Sequence, residues 1–241
     1  MNTIKSSDKY SKYFTNEYLM GPNSIRLADE LLLAYPLNIE ANGIILDLGC
    51  GTGLTSLFIA NETGANVYAN DLWIDPEENL KRFQKWNMDK RIIPVHSDAN
   101  QLDFQENFFD AVISIDSYHY FAGKKNFFKE KILPFVKNGG TVLIAVPGVK
   151  EEYEGRQKEL LGEWLGDDYY MFHSCKWWQN IIGVSPCMEF VNTWELKNFK
   201  IAWEEWLQLD NIHTADDKKH YSEIKKCTCF IGIAVKKKRI N

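Results

Sequence analysis

The residues best placed for chemistry fall between positions 47 and 119. Asp47-Leu48-Gly49-Cys50-Gly51-Thr52-Gly53 sets three glycines in alternation directly after an apolar run. Glycine serves where a backbone turns with positive φ, or passes against a ligand with no Cβ in the way. At the carboxyl end of a strand such a loop can press on a nucleoside-type cofactor. A dinucleotide fingerprint has the form Gly-x-Gly-x-x-Gly/Ala. Here the third glycine arrives one place early, at Gly53, and the sixth position is Leu54. Asp47, two residues before the first glycine, would repel a pyrophosphate; it suits a ligand with a cationic ammonium. No Gly-Lys-Ser/Thr is present, so the loop is not a P-loop.

Further acids follow in order. Asp71 closes the next apolar stretch, about twenty residues on, where a carboxylate accepts from two vicinal ribose hydroxyls. Trp73 is then placed to pack on an adenine or in the core. Asp98, before Ala99, can accept from an adenine amino group or serve a polar loop. A fourth apolar run ends in Ile115-Asp116-Ser117, and that end should face the cofactor. His119 follows, in Tyr118-His119-Tyr120-Phe121. It is the first candidate general base, because imidazole titrates near neutrality; a packing or capping histidine is the alternative. His173, ahead of Trp177-Trp178, is the second candidate. No metal site is expected, since His96, His119, His173, His213 and His220 lie far apart without paired spacing.

These residues need a scaffold. Segments 44–48, 66–71, 91–96, 109–115 and 141–146 read as short strands. Segments 54–60, 76–87 and 125–135 read as helices, the second capped by Asp75 with Pro76 at its first position. Strict alternation with short loops from 44 to 146 predicts a parallel, doubly wound α/β sheet. Upstream, 10–20 carries aromatic residues at roughly helical spacing, Gly21-Pro22 breaks it, and Ser24 is the expected cap of a helix over 25–33. Residues 1–35 thus read as an N-terminal helical lid on a single domain. Past Pro147-Gly148 the rhythm changes: 149–173 is charged and aromatic and reads as an inserted cap. A helix over 175–182, strands over 188–196 and 227–235, and a helical stretch over 197–209 complete the chain.

Composition narrows the class. A chain of 241 residues, 45% hydrophobic and 25% charged, fits one well-cored domain. A net charge of -5 lacks the basic surplus of a nucleic-acid binder. The aromatic content of 14% suits a pocket built from rings, although most rings belong in the core. Five cysteines, odd in number and without zinc spacing, read as reduced thiols of a cytoplasmic protein. No apolar run approaches the ~20 residues of a membrane span. Residues 1–12 show no apolar stretch of a secretory signal. The basic run 236–239 reads as a solvated end.

Taken together, Asp47-x-Gly49-x-Gly51-x-Gly53, Asp71, Asp98-Ala99, Phe108-Phe109-Asp110-Ala111-Val112 and Val136-Lys137-Asn138-Gly139-Gly140 resemble the ordered motifs of class I S-adenosylmethionine-dependent methyltransferases. The nearest flavour is the small-molecule, cyclopropane-synthase-like group. The resemblance runs from about Gly21 to Val235. It implies a Rossmann-like, seven-stranded mixed sheet whose last strand runs antiparallel, with 188–196 and 227–235 as the final hairpin. It implies S-adenosyl-L-methionine as cofactor: Asp47, Gly49, Gly51 and Gly53 at the methionine moiety, Asp71 with Leu72 at the ribose side, and Asp98 with Ala99 at the adenine. Asp116 would lie near the transferable methyl and joins His119 as a catalytic candidate. The acceptor would be a small molecule of unresolved atom type, with an oligomer possible. A non-catalytic S-adenosylmethionine-binding protein is the alternative, disfavoured by the intact Asp47 and glycines. An RNA or protein methyltransferase ranks lower still: Asp116-Ser117-Tyr118-His119 stands where RNA-base enzymes often show Asn/Asp-Pro-Pro-Tyr/Phe. A nicotinamide dehydrogenase is disfavoured by the glycine spacing and by Asp47.

Overall fold

A computed structural model describes residues 6–40, 42–210 and 212–239. Its centre is a seven-stranded sheet: β1 (Ile44–Leu48), β2 (Asn66–Asp71), β3 (Ile92–His96), β4 (Phe109–Ile115), β5 (Val136–Val149), β6 (Met188–Glu195) and β7 (Thr228–Lys237). Strand order is β3-β2-β1-β4-β5-β7-β6. β1 to β5 pair in parallel, and β7 slots antiparallel between β5 and β6. The mixed sheet with one reversed strand matches the arrangement that the sequence motifs imply.

Period-two alternation feeds two cores, one on each face. Leu143 and Ala145 of β5 and Phe230 and Ala234 of β7 enter one. Val142, Ile144 and Val146, with Ile231, Ile233 and Val235, enter the other. The helices α1 (Ser24–Ala34), α2 (Leu54–Thr63), α3 (Pro76–Lys85), α4 (Gln157–Leu165), α5 (Cys175–Ile182), α6 (Phe199–Leu207) and α7 (Ile212–Ile224) connect the strands. Among the described residues no helix is long and apolar enough to cross a membrane.

Several local expectations change. The cap of α1 is Asn23, not Ser24: its Oδ1 accepts from Ile25 N at 3.1 Å. Residues 10–20 do not form a regular helix. Ser6–Tyr13 is a 3₁₀ run, and the rings dictate the path beyond it: Tyr10 packs on Phe58, while Tyr13 and Tyr18 pack on Trp86. Residues 1–5 of the expected lid lie outside the described residues. Over 125–135 a π-turn (Phe128–Ile132) gives way to a 3₁₀ turn at Leu133–Phe135. Pro134 lacks the N–H that a continuing α-helix requires. Asn138-Gly139-Gly140, ahead of the expected strand over 141–146, lies inside β5 as an irregularity, with Phe109 opposite Val136 but Ala111 opposite Thr141. The expected cap begins one residue late, since Val149 still belongs to β5. It holds α4 and a 3₁₀ run, Gly166–Met171. α7 was not anticipated, because its sequence is polar around most of its circumference.

The glycine loop leads into α2 through Gly53, whose φ is +80°. A Cβ built there would stand 2.4 Å from the Phe83 ring, which is fully buried. Gly53→Ala therefore combines left-handed strain with a clash, at a cost of about 2 kcal/mol or more. Thermal denaturation should show Tm lower by about 5 °C. An unchanged Tm would contradict this packing.

Candidate functional site

β1 and β4 are neighbours whose chains leave in opposite directions, to β2 on one side and β5 on the other. Open α/β sheets bind ligands outside such a switch point, at the strands' carboxyl ends. A cleft of about 360 Å³ lies there, walled by the glycine loop, the ends of β2 and β4, and the segment Tyr18–Pro22.

The loop is fixed from three sides. Gly49 N and Cys50 N both donate to Asn70 O, at 2.8 and 2.9 Å. Gly51 N donates to Asp71 Oδ2 at 2.8 Å, and Asn79 Nδ2 donates to Gly51 O at 2.9 Å. Gly49 sits at φ +76°, and a Cβ there would lie 2.3 Å from Ser117 Oγ. The tip of β4 thus occupies the space that the missing side chain leaves. Ser117 Oγ in turn donates to Leu48 O at 2.9 Å.

The predicted acids divide into cleft residues and a support. Asp71, Leu72, Asp98, Ala99 and Asp116 all line the cleft. Asp71 Oδ1 accepts from Trp73 N at 2.8 Å and Ile74 N at 3.0 Å. One carboxylate therefore ties the end of β2 to the glycine loop and to its own following turn. Leu72 and Trp73 stay exposed on the cleft rim, and Trp73 meets Tyr120 edge-on at 5.1 Å. Asp98 Oδ1 accepts from both the backbone N and Nδ2 of Asn100, each at 2.8 Å. Those bonds, the backbone one first, hold its carboxyl below the usual carboxylate range.

Asp47 differs. It is fully buried beneath the loop and is not part of the cleft wall. Its Oδ2 accepts from Thr55 Oγ1 and Ser56 Oγ, both at 2.6 Å, fixing the first turn of α2. Its Oδ1 is buried without a partner. Burial pushes its pKa up to about 6, the two hydroxyl bonds opposing and Asp71 adding to the rise.

Asp116 ends β4 in the left-handed region, φ +56°, and its N–H donates to Ala145 O at 2.8 Å. A non-glycine residue held there is a strained position of the kind found at ligand sites. A Cβ on Gly21 would come within 3.2 Å of Asp116 Oδ2, so the N-terminal segment passes directly over this carboxyl. Burial, with Asp217 nearby, pushes its pKa up to about 8.

His119 is not brought into the cleft. It lines a second cavity, about 250 Å³, whose wall includes Tyr120 and Phe121, residues that also line the first. Burial pushes its pKa down to about 3. The near-neutral titration that recommends a free histidine as base is lost to desolvation. His173 lines the same second cavity, stacks on Trp177 at 3.5 Å, and approaches Glu152 Oε2 with Nδ1 at 3.4 Å.

Sequence reasoning missed the anchoring of the N-terminal wall. Arg26, buried, donates through Nε to both carboxylate oxygens of Glu205 at 3.1 and 3.0 Å, and also bonds Ser7 and Asp8. Asn23 Nδ2 donates to the same Glu205 at 2.6 Å. No local pattern couples residues 26 and 205; only the fold does. Met20, Pro22 and Asn100 on the cleft wall were likewise unmarked.

The cleft fits a nucleoside-bearing sulfonium. Its volume falls within the about 300–1,000 Å³ of small-ligand sites. Carboxylates stand at two separate points of the wall and a third at the tip of β4, and among the described residues no arginine or lysine lines it to receive a phosphate. Gly51, also at positive φ, presents bare backbone to this space, with Met20 Sδ 3.0 Å from where a Cβ would stand.

Comparisons agree. Residues 46–144 match the family model described as Methyltransferase domain. Sterol 24-C-methyltransferase of Saccharomyces cerevisiae is 28% identical over 157 residues, 64% of this chain and 39% of that protein. The chain spans about two fifths of the length of this and similar curated relatives. Phosphoethanolamine N-methyltransferase 2 of Haemonchus contortus, solved with S-adenosyl-L-methionine, superposes with a TM-score of 0.74 at 19% identity, over 99% of this chain and 58% of that one. Geranyl diphosphate C-methyltransferase of Streptomyces coelicolor superposes with a TM-score of 0.69 at 13% identity, over 98% and 100%. The sheet order, the Asp47 to Gly53 loop and the methyltransferase domain matched over 46–144 together resemble the class I S-adenosylmethionine-dependent methyltransferases.

Proposed function

We propose that the chain binds S-adenosylmethionine in the switch-point cleft and catalyses methyl transfer to a small-molecule acceptor. One observation carries this most: Asp71, Asp98 and Asp116 line one cleft, in strand order, around a glycine loop stitched to Asp71. S-adenosylmethionine supplies a methyl on a sulfonium, with a neutral thioether as leaving group. Asp71 and Leu72 take the ribose side, Asp98 and Ala99 the adenine. The backbone of Gly49 and Gly51 takes the methionine moiety, whereas Gly53, expected there too, does not line the cleft and packs on Phe83. Asp47 backs that loop from beneath, holding α2 through Thr55 and Ser56. The segment Tyr18–Pro22, on the cleft wall, acts as the lid that excludes water, and α4 with its following 3₁₀ run forms the cap. Buried free thiols at Cys50, Cys227 and Cys229 suit a reducing compartment, the cytoplasm.

Asp116 tests the placement of positive charge. At pH 7 a carboxyl with a pKa of about 8 is mostly protonated. A cation set against it favours the ionised form. Binding of S-adenosylmethionine at pH 7 should release up to one proton, and binding of S-adenosylhomocysteine, whose thioether lacks the sulfonium charge, should not. Calorimetry in buffers of different ionisation heat reads this directly. Asp116→Asn should abolish the release; equal proton counts for the two ligands would remove Asp116 from the sulfonium. The same residue gives a stability sign. Its folded pKa lies above the unfolded value of about 3.9. Its contribution to stability is therefore full below about pH 4 and lost as pH rises through about 8. Asp116→Asn should gain stability over the parent at pH 9. Activity itself is tested by incubating the protein with methyl-labelled S-adenosylmethionine and an acceptor panel. Acceptor-dependent S-adenosylhomocysteine is the expected product; its absence with every acceptor would favour a non-catalytic binding role.

A further inference from the structure

α3 is polar and mostly exposed, and its two buried residues are Asn79 and Phe83, one turn apart on its inward face. Each answers one glycine of the loop. The Phe83 ring fills the space where a Gly53 side chain would stand. Asn79 is 1% exposed, at a position where an amphipathic helix ordinarily carries an apolar side chain. A buried amide is tolerated where its hydrogen bonds are made. Its Nδ2 donates to Gly51 O at 2.9 Å, and its Oδ1 accepts from Arg82 Nη1 at 2.8 Å. Arg82 Nη2 in turn donates to Glu78 Oε2 at 3.3 Å. The Arg82 bond sets the amide's orientation: with Oδ1 turned to the guanidinium, the NH₂ is left for Gly51.

Gly51 is therefore gripped at both ends, its N–H by Asp71 Oδ2 at 2.8 Å and its C=O by Asn79. The second grip acts beyond Gly51. In the trans peptide from Gly51 to Thr52, the C=O and the N–H point in opposite directions. A carbonyl drawn to α3 turns the Thr52 N–H away from α3, towards the cleft that Thr52 lines and Asn79 does not. Among the described residues nothing accepts from Thr52 N, whereas Gly49 N, Cys50 N, Gly51 N and Gly53 N are all used within the fold. The Thr52 side chain is used as well, since Oγ1 donates to Tyr18 O at 2.6 Å. One backbone donor of the loop is thus kept for a ligand. Such an N–H suits an anionic oxygen, and a charge-assisted bond is roughly twice as strong as a neutral one.

We propose that Asn79 is a positioning residue: by holding Gly51 O it aims the Thr52 N–H at the carboxylate on the amino-acid end of the methyl donor. The role rests on the reading of the cleft as the S-adenosylmethionine site. In that reading the nucleoside end lies at Asp71 and Asp98, and the peptide from Gly51 to Thr52 does not hold it. Loss of Asn79 therefore weakens ligands that carry the amino-acid part and spares those that lack it.

The test is calorimetric titration of the full chain with S-adenosylhomocysteine and with methylthioadenosine, which keeps the nucleoside and the thioether and lacks the amino and carboxyl groups. Asn79→Leu keeps a similar volume and removes both hydrogen-bonding groups. Asn79→Asp keeps the acceptor for Arg82 and removes the donor to Gly51 O. Both variants should bind S-adenosylhomocysteine about tenfold more weakly than the parent, and methylthioadenosine within twofold of it. A merely structural role would weaken both ligands together. An S-adenosylhomocysteine affinity within twofold of the parent in either variant, or an equal loss for the two ligands, would overturn the proposal. Should both variants fail to fold, Arg82→Ala decides, because that side chain is 21% exposed and its removal frees the amide to turn. It should weaken S-adenosylhomocysteine about threefold and leave methylthioadenosine unchanged; no change in either would overturn the role. A parent that binds S-adenosylhomocysteine alone places the affinity in the amino-acid end, and the S-adenosylhomocysteine loss in the variants then decides. A parent that binds methylthioadenosine alone would overturn the Asn79 role and leave the nucleoside site standing. A parent that binds neither would overturn the donor site as well.

Discussion

Asp71→Ala should weaken S-adenosylmethionine binding about 100-fold while the chain still unfolds cooperatively. The carboxylate already accepts from Gly51 N, Trp73 N and Ile74 N, and it lines the cleft. Each hydrogen bond to a charged group is worth about 1.5–3 kcal/mol. Loss of the proposed ribose contacts and of the Gly51 tether together exceeds the 2.8 kcal/mol or so that a 100-fold change represents. Asp71→Asn keeps the shape and one acceptor oxygen, and should lose about tenfold. Calorimetric titration gives both numbers. An affinity within twofold of the parent in Asp71→Ala would remove Asp71 from the ribose site.

The second large effect lies at the anchor of the N-terminal segment. Arg26→Ala should lower stability by about 3 kcal/mol and Tm by about 10 °C. The Arg26 side chain is 6% exposed and that of Glu205 20%, so truncation strands a half-enclosed carboxylate. Most of the cost is that stranded charge, not the attraction itself. Asn23 shares Glu205 and caps α1, so the loss spreads to the Tyr18–Pro22 wall of the cleft. Cofactor affinity should fall by about tenfold in the folded fraction. Arg26→Ala with Glu205→Ala should recover part of the stability, because neither charge is then left alone; a double-mutant cycle measures the coupling. Strictly additive losses would contradict the shared network.

Legibility in the sequence follows how local each determinant is. The first five strands and the glycine loop were readable because each is written in adjacent residues: an apolar run, then Gly49, Gly51 and Gly53, then an acid at the strand end. Asp71, Asp98, Ala99 and Leu72 reach the cleft for the same reason, since a parallel strand delivers its carboxyl end to one edge of the sheet. His119 misled because sequence supplies a residue type and not its exposure. The chain turns it into the second cavity, and burial removes the titration that made it attractive. Asp47 carries the right motif spacing, yet its depth beneath the loop depends on Thr55 and Ser56 of the following helix. The Arg26–Glu205 pair joins residues 179 apart in sequence and leaves no periodic trace. α7 was hidden by polarity: it is anchored by Asp217, which accepts from the indoles of Trp164 and Trp206, both at 2.7 Å.

The central claim is that the switch-point cleft is a site for S-adenosylmethionine. The measurement that meets it most directly is calorimetric titration of the full chain with S-adenosylmethionine, S-adenosylhomocysteine and NAD in parallel. Micromolar, one-to-one binding of both sulfur ligands and none of NAD is the predicted result. Binding of NAD, or of neither sulfur ligand, would contradict it.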